Sequence, residues 1–156
     1  MISSNDILNG LLSCLASSSS FVSSVGGAPV VGEDLRGEGL GEGAFQVCLF
    51  PVREDNEDAS LGGSFAGTQK MTISLAAILY LCDKKRTAAG RADLCDATAA
   101  FKQAVMQNRD YTDPSGVQLW YQTSFRKPTT LYYYQTPNRL SITWLDVLCR
   151  TDWRPG

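Results

Sequence analysis

Histidine is missing from all 156 residues, which removes the side chain that most often moves protons near neutral pH. Without it neither a Ser-His-Asp nor a Cys-His arrangement can form, and no imidazole can ligate a metal. The five cysteines include no C-x-x-C pair, so zinc and thioredoxin-like readings fail as well. No run of residues approaches the roughly 18 apolar positions of a membrane-spanning helix. Cations are not in excess either: 14 Lys and Arg stand against 16 Asp and Glu, whereas a duplex reader gathers basic residues on one face. These gaps exclude most ready-made chemistry and point to a protein that works by holding a partner.

What is present describes an ordinary folded domain. Apolar residues make up 44% of the chain, close to the globular average, and the length suits one domain spanning 1–156. The net charge of −2 is unevenly spread. Residues 1–58 hold nine acids and two bases, giving −7, and residues 59–156 hold seven acids and twelve bases, giving +5. Such asymmetry suits a subunit that meets copies of itself or partners through different faces. Cys14, Cys48, Cys82, Cys95 and Cys149 are odd in number and mostly stand among apolar neighbours, as reduced core thiols do; this predicts a reducing compartment. Leu11-Leu12-Ser13-Cys14 imitates a lipoprotein cleavage site, but the first arginine is Arg36 and the leading charge is Asp6. The basic n-region of a signal peptide is lacking, so no lipid anchor and no membrane partner are predicted.

Periodicity predicts the elements. Ile7, Leu8, Leu11, Leu12, Leu15, Val22 and Val25 recur at helical spacing over 5–25, Ser3 and Asp6 have capping-box spacing, and Gly26-Gly27 ends the run. The serines at 17–20 weaken its middle. Residues 26–44 carry seven of the 14 glycines and read as a loop, mobile or shaped by a neighbour. Within it, residues 37–43 look like a nucleotide loop but lead into a strand instead of opening a helix, and their acids would repel phosphate. Phe45–Arg53 reads as a strand with an edge or bulge at Pro51, followed by a mobile acidic and Gly-rich segment at 54–67. Residues 68–83 read as a central strand with two apolar faces. A second amphipathic helix is predicted over 87–108, then strands over 117–126 and 139–151, with Leu131–Tyr134 continuing the first or starting another. The predicted fold is α+β, α-β-β-α-β-β, with a mostly antiparallel sheet and both helices on one face.

Three constellations compete with plain packing. Glu54, Asp55, Glu57 and Asp58 form the one acidic cluster; they read as a solvated tip, as a surface that faces nucleic acid without binding it, or as a cation site lacking calcium-loop spacing. Cys95 lies beside Asp93 and Asp96, which oppose thiolate formation. Trp120, Tyr121 and Tyr132–Tyr134 with Arg126 and Lys127 are candidates for stacking single-stranded bases or holding a small ligand, although alternation sets Tyr133 opposite its two neighbours. Trp120, Tyr133, Trp153 and Arg154 are the candidate partner contacts, because Trp, Tyr and Arg dominate interface hot spots. No catalytic residue, metal site or cofactor is predicted, and a hydrolase is the weakest reading.

The order of elements resembles the tail-terminator, or tail-completion, proteins of long-tailed bacteriophages. The likeness rests on an opening helix of the Ile7-Leu8-x-x-Leu11-Leu12 kind, a Gly-rich loop, strands like Phe45–Arg53 and Met71–Asp83, the helix Arg91-Ala92-Asp93-Leu94-Cys95-Asp96-Ala97-x-x-Ala100-Phe101, and a closing Ser141-Ile142-Thr143-Trp144-Leu145-Asp146-Val147. It spans nearly the whole chain, departing in the longer 54–67 segment and in the 132–137 insertion. The resemblance implies a non-enzymatic virion protein of the tail and neck, assembled in the host cytoplasm. It would form a homohexameric ring on the head-proximal end of the tail tube, meeting the tube protein and the head–tail connector. Genome DNA would pass through the lumen without specific binding, and Glu54, Asp55, Glu57 and Asp58 would line it, since a cationic wall would hold phosphates. Another neck component, a head-completion or stopper protein, is the alternative.

Overall fold

In the computed structural model, which describes residues 2–56, 69–135 and 139–153, the chain opens with helix α1 (Ser4–Ser17). The capping box predicted from the sequence forms: the Asp6 N–H donates to Ser3 Oγ at 3.2 Å, and the Ser3 N–H donates to Asp6 Oδ2 at 2.7 Å. The helix predicted over 5–25 breaks at Ser18, whose backbone is extended and whose hydroxyl accepts from the Phe21 N–H to start α2 (Ser19–Ser24). Serine hydroxyls cause the break by competing for backbone groups; that of Ser17 donates to the Cys14 carbonyl at 3.0 Å. At Gly27, with φ +77, the N–H returns to the Val22 carbonyl at 2.8 Å and closes the helix.

The remaining elements are β1 (Val30–Val31), β2 (Phe45–Asn56), β3 (Gln69–Cys82), α3 (Ala88–Gln107), β4 (Tyr111–Thr112), β5 (Gln118–Trp120), β6 (Gln122–Gln135) and β7 (Leu140–Trp153). Five strands form one sheet in the order β1-β2-β3-β7-β6, antiparallel except for the short β1–β2 pair, while β4 and β5 make a separate ribbon. The expected class, mixed α+β with a mostly antiparallel sheet, is the one observed. Among the described residues there are three helices where two were predicted, and three strands too short to show a period. The strand predicted over 117–126 is split at Tyr121, where the chain leaves the ribbon and enters the sheet by donating its N–H to the Arg150 carbonyl at 3.0 Å. Leu131–Tyr134 continues β6.

All three helices cover one face of the sheet. Ile7, Leu11 and Leu15 of α1, Phe21 of α2, and Leu94, Phe101 and Val105 of α3 meet Ile73, Leu75 and Leu79 of β3 and Leu145 and Val147 of β7. Each fully buried Leu, Ile or Phe contributes about 2 kcal/mol through apolar area removed from water. Central placement explains why β3 is apolar on both faces: Ile78, Tyr80 and Cys82 form a second, smaller cluster on the far side with Cys48, Leu140 and Ile142. Leu35 and Leu40, from the Gly-rich loop, roof that cluster. Gly37 lets the loop cross, since φ is +70 there and an added Cβ would collide with Leu140. The loop reaches only one end of the far face, and the rest carries no covering element among the described residues.

Candidate interaction surface

Register fixes which side chains occupy the partly uncovered face. Tyr80 pairs with Ile142, Ile78 with Trp144, Ala76 with Asp146, and Ser74 with Leu148; from β6, Thr130 stands opposite Trp144, Tyr133 opposite Ile142, and Arg126 opposite Asp146. Cross-strand partners share a face, so Trp144 and Tyr133 project on the side away from the helices. They are 48% and 56% exposed, and Val52, the extra residue of the bulge after Pro51, is 52% exposed. Large apolar groups held open on one sheet face mark an interaction surface more often than a solvated one.

A cleft of about 520 Å³ lies where this face meets the roofing loop, lined by Tyr80, Tyr133, Trp144, Asp34, Arg36 and their neighbours. The Tyr80 hydroxyl donates to Asp34 Oδ1 at 2.8 Å. Burial first, and then that carboxylate, push the phenol well above its ordinary range, so Tyr80 acts as a neutral donor that positions the loop. The charges of the uncovered face nearly balance: Arg53, Lys70, Arg126 and Arg150 against Asp55, Asp146 and Asp152. That balance suits contact with protein and opposes retention of a nucleic-acid backbone.

The structure separates the candidate residues. Glu54 and Asp55 point to opposite faces, because Glu54 is in register with the core-facing Ile73 and Asp55 with Thr72. Glu54 accepts from the Ser4 hydroxyl at the start of α1, and Asp55 is held by Arg53 Nε at 2.7 Å. These two carboxylates therefore do not make one wall; Glu57 and Asp58 lie outside the described residues. Trp120 is corrected as a partner contact: it is 0% exposed, stacks on Tyr111 with ring centroids 4.7 Å apart, and donates its indole N–H to the Asn108 carbonyl at 2.7 Å. The bulged β4–β5 ribbon turns Leu119 and Trp120 both inward against Gly10, where an added Cβ would come within 2.8 Å of the Trp120 ring. Tyr133 keeps its exposure, and the expected alternation holds, since Tyr132 and Tyr134 pack edge to face on the opposite side. The Trp153 side chain and Arg154 lie outside the described residues.

Trp144 is the exposed residue that sequence reading left unremarked. Its signal was present, as it alternates with the buried Thr143 and Leu145, but which face the helices cover is a tertiary fact. A second group also went unnoticed. Arg86 lies 4.6 Å from the Tyr134 ring centroid, Arg91 6.0 Å from that of Tyr132, and Lys102 5.8 Å from that of Phe125. This places a row of cations along the β6 edge, each over an aromatic face.

Reactive chemistry is sparse. Burial pushes the Cys14 thiol up to about 11 and Cys149 up to about 12, leaving both protonated. Among the described residues no group of three or more His, Cys, Asp or Glu side chains is placed to hold a metal ion, and no helix is long and apolar enough to cross a membrane. The sequence matches no protein-family model, and no curated protein aligns with it significantly.

Proposed function

We propose that the chain is a non-enzymatic ring subunit of the tail-terminator type, joining a phage tail tube to the head and neck. The observation that carries this reading is the half-uncovered sheet face with Trp144 and Tyr133 held open to solvent, on a fold whose helices all cover the other side. Such a face is spent on a protein partner. The two ends of the sheet differ in chain origin and charge, as head-to-tail association requires. The ring contains copies of this chain, six by the resemblance, with the tube protein below, the connector above and genome DNA passing through. Either Glu54 or Asp55 faces the lumen, not both.

Burial of Trp120 and the balanced charge of the uncovered face weigh against the single-stranded nucleic-acid alternative. The test is to incubate the purified chain with tail tubes and image the ends. Capping of one end by a ring, lost in Trp144→Ala with Tyr133→Ala, supports the reading. Binding only to isolated connector rings points to a stopper or head-completion role, and binding to neither sinks both.

A further inference from the structure

The sheet ends in two edges of opposite charge. At one end, Arg86, Arg91 and Lys102 gather along β6 and α3 on the helix side of the sheet, with Arg86 and Arg91 exposed, whereas Arg126 faces the other side opposite Asp146. Among the described residues, ion pairs within 4.0 Å join Arg36 to Asp34 and Arg53 to Asp55, both near β1 and β2. The β6–α3 cations thus rest on aromatic rings with no carboxylate at salt-bridge distance. At the other end, Glu33 and Glu54 are exposed while the neighbouring Arg36 and Arg53 are engaged by Asp34 and Asp55. Acid is in surplus at one edge and base at the other, across a sheet roughly 19 Å wide at about 4.8 Å per strand.

Backbone pairing does not join such edges. Both carry a proline, Pro51 in β2 and Pro128 in β6, and both are broken in register, once after Pro51 and twice in β6. Prolines and bulges on edge strands prevent continued pairing. Side chains are left to make the contact. Building on the ring reading above, we propose that the β6–α3 cation row of one copy receives the Glu33 and Glu54 edge of a second copy. Because the surfaces lie at opposite ends of one sheet, the contact is heterologous and propagates around a ring instead of closing as a two-fold pair. The aromatic rings beneath Arg86, Arg91 and Lys102 hold the cations outward, which reduces the ordering required on contact.

Charge exchange tests this directly. Native mass spectrometry and sedimentation would follow the native chain, Arg86→Glu with Arg91→Glu, Glu33→Lys with Glu54→Lys, and the fourfold variant, with circular dichroism as the fold control. Each double reversal is expected to raise the concentration for half-assembly by about tenfold or more, and the fourfold variant to restore it, which a misfolded chain cannot do. A ring unchanged by both reversals overturns the edge assignment while leaving the ring itself in place. A chain that is monomeric with and without tail tubes removes both. Retention of short duplex DNA through Arg86 and Arg91, in place of assembly, identifies the row as a phosphate contact and overturns the proposal.

Discussion

Single residues decide how tightly the core closes. Gly10 sits inside α1, where glycine is otherwise unfavourable, because the Trp120 ring and Leu119 occupy the space a Cβ would need. Gly10→Ala is expected to destabilise the fold by about 1–3 kcal/mol through overpacking, measured by denaturant unfolding. An unchanged midpoint would mean that Trp120 does not press on α1. The cysteines give a second residue-scale expectation. Cys14, Cys48, Cys82 and Cys149 are buried and Cys95 is exposed; burial raises the Cys14, Cys48, Cys82 and Cys149 thiols. A thiol reagent near neutral pH should therefore modify one cysteine per native chain quickly and the others only on unfolding. Fast reaction of three or more would contradict this packing.

At the scale of elements, ends and junctions matter more than interiors. The α1 start depends on Ser3 and Asp6, so Ser3→Ala is expected to cost about 1 kcal/mol. Asp6 is held below its ordinary 3.8 by hydrogen bonds from the Ser3 backbone and hydroxyl. A depressed carboxyl stabilises the fold above its unfolded pKa and loses that contribution as pH falls through the lower folded value. Stability should thus decline below about pH 4, and Asp6→Asn should flatten the decline; an identical acid profile in the variant would exclude the capping box as its source. The α3 start is likewise capped by a hydroxyl, that of Thr87 accepting from the Gly90 N–H at 3.0 Å, with a carboxylate added from outside the helix. Asp83, the first residue after β3, accepts from the Thr87 N–H at 2.8 Å, and Gly90 leaves room for that carboxylate. In mid-helix, Thr98 donates to the Leu94 carbonyl at 2.7 Å and lies 3.0 Å from the Thr143 hydroxyl, tying α3 to β7.

For the whole molecule, an asymmetric covering of the sheet is the main consequence. Helices seal one face and the Gly-rich loop roofs one end of the other, so the remaining surface stays open without threatening the fold. Trp144→Ala is accordingly expected to change unfolding free energy by no more than about 1 kcal/mol, as surface substitutions do, while weakening partner capture by tenfold or more at a hot spot. Comparison of the unfolding midpoint with tail-tube capping separates the two effects. A large stability loss with unaltered capping would show Trp144 to be a packing residue.

By itself the sequence determined the class of fold and much of its skeleton, because periodicity is local. The 3.6-residue stripe of Ile7, Leu11 and Leu15 and the two apolar faces of residues 71–82 needed no partner to be read. Its missing histidine and C-x-x-C pairs limited the available chemistry on composition alone. Tertiary structure decided the surface. Trp120 and Trp144 sit in similar strand contexts, yet one is sealed behind Gly10 and the other stands open, since exposure depends on which face the helices choose. Glu54 and Asp55, adjacent in the chain, part to opposite faces because β2 runs on to Asn56 in pairing with β3, carrying the alternation of the strand through them. Arg86, Arg91 and Lys102 become one row only when α3 packs beside β6, and no local pattern records that long-range contact.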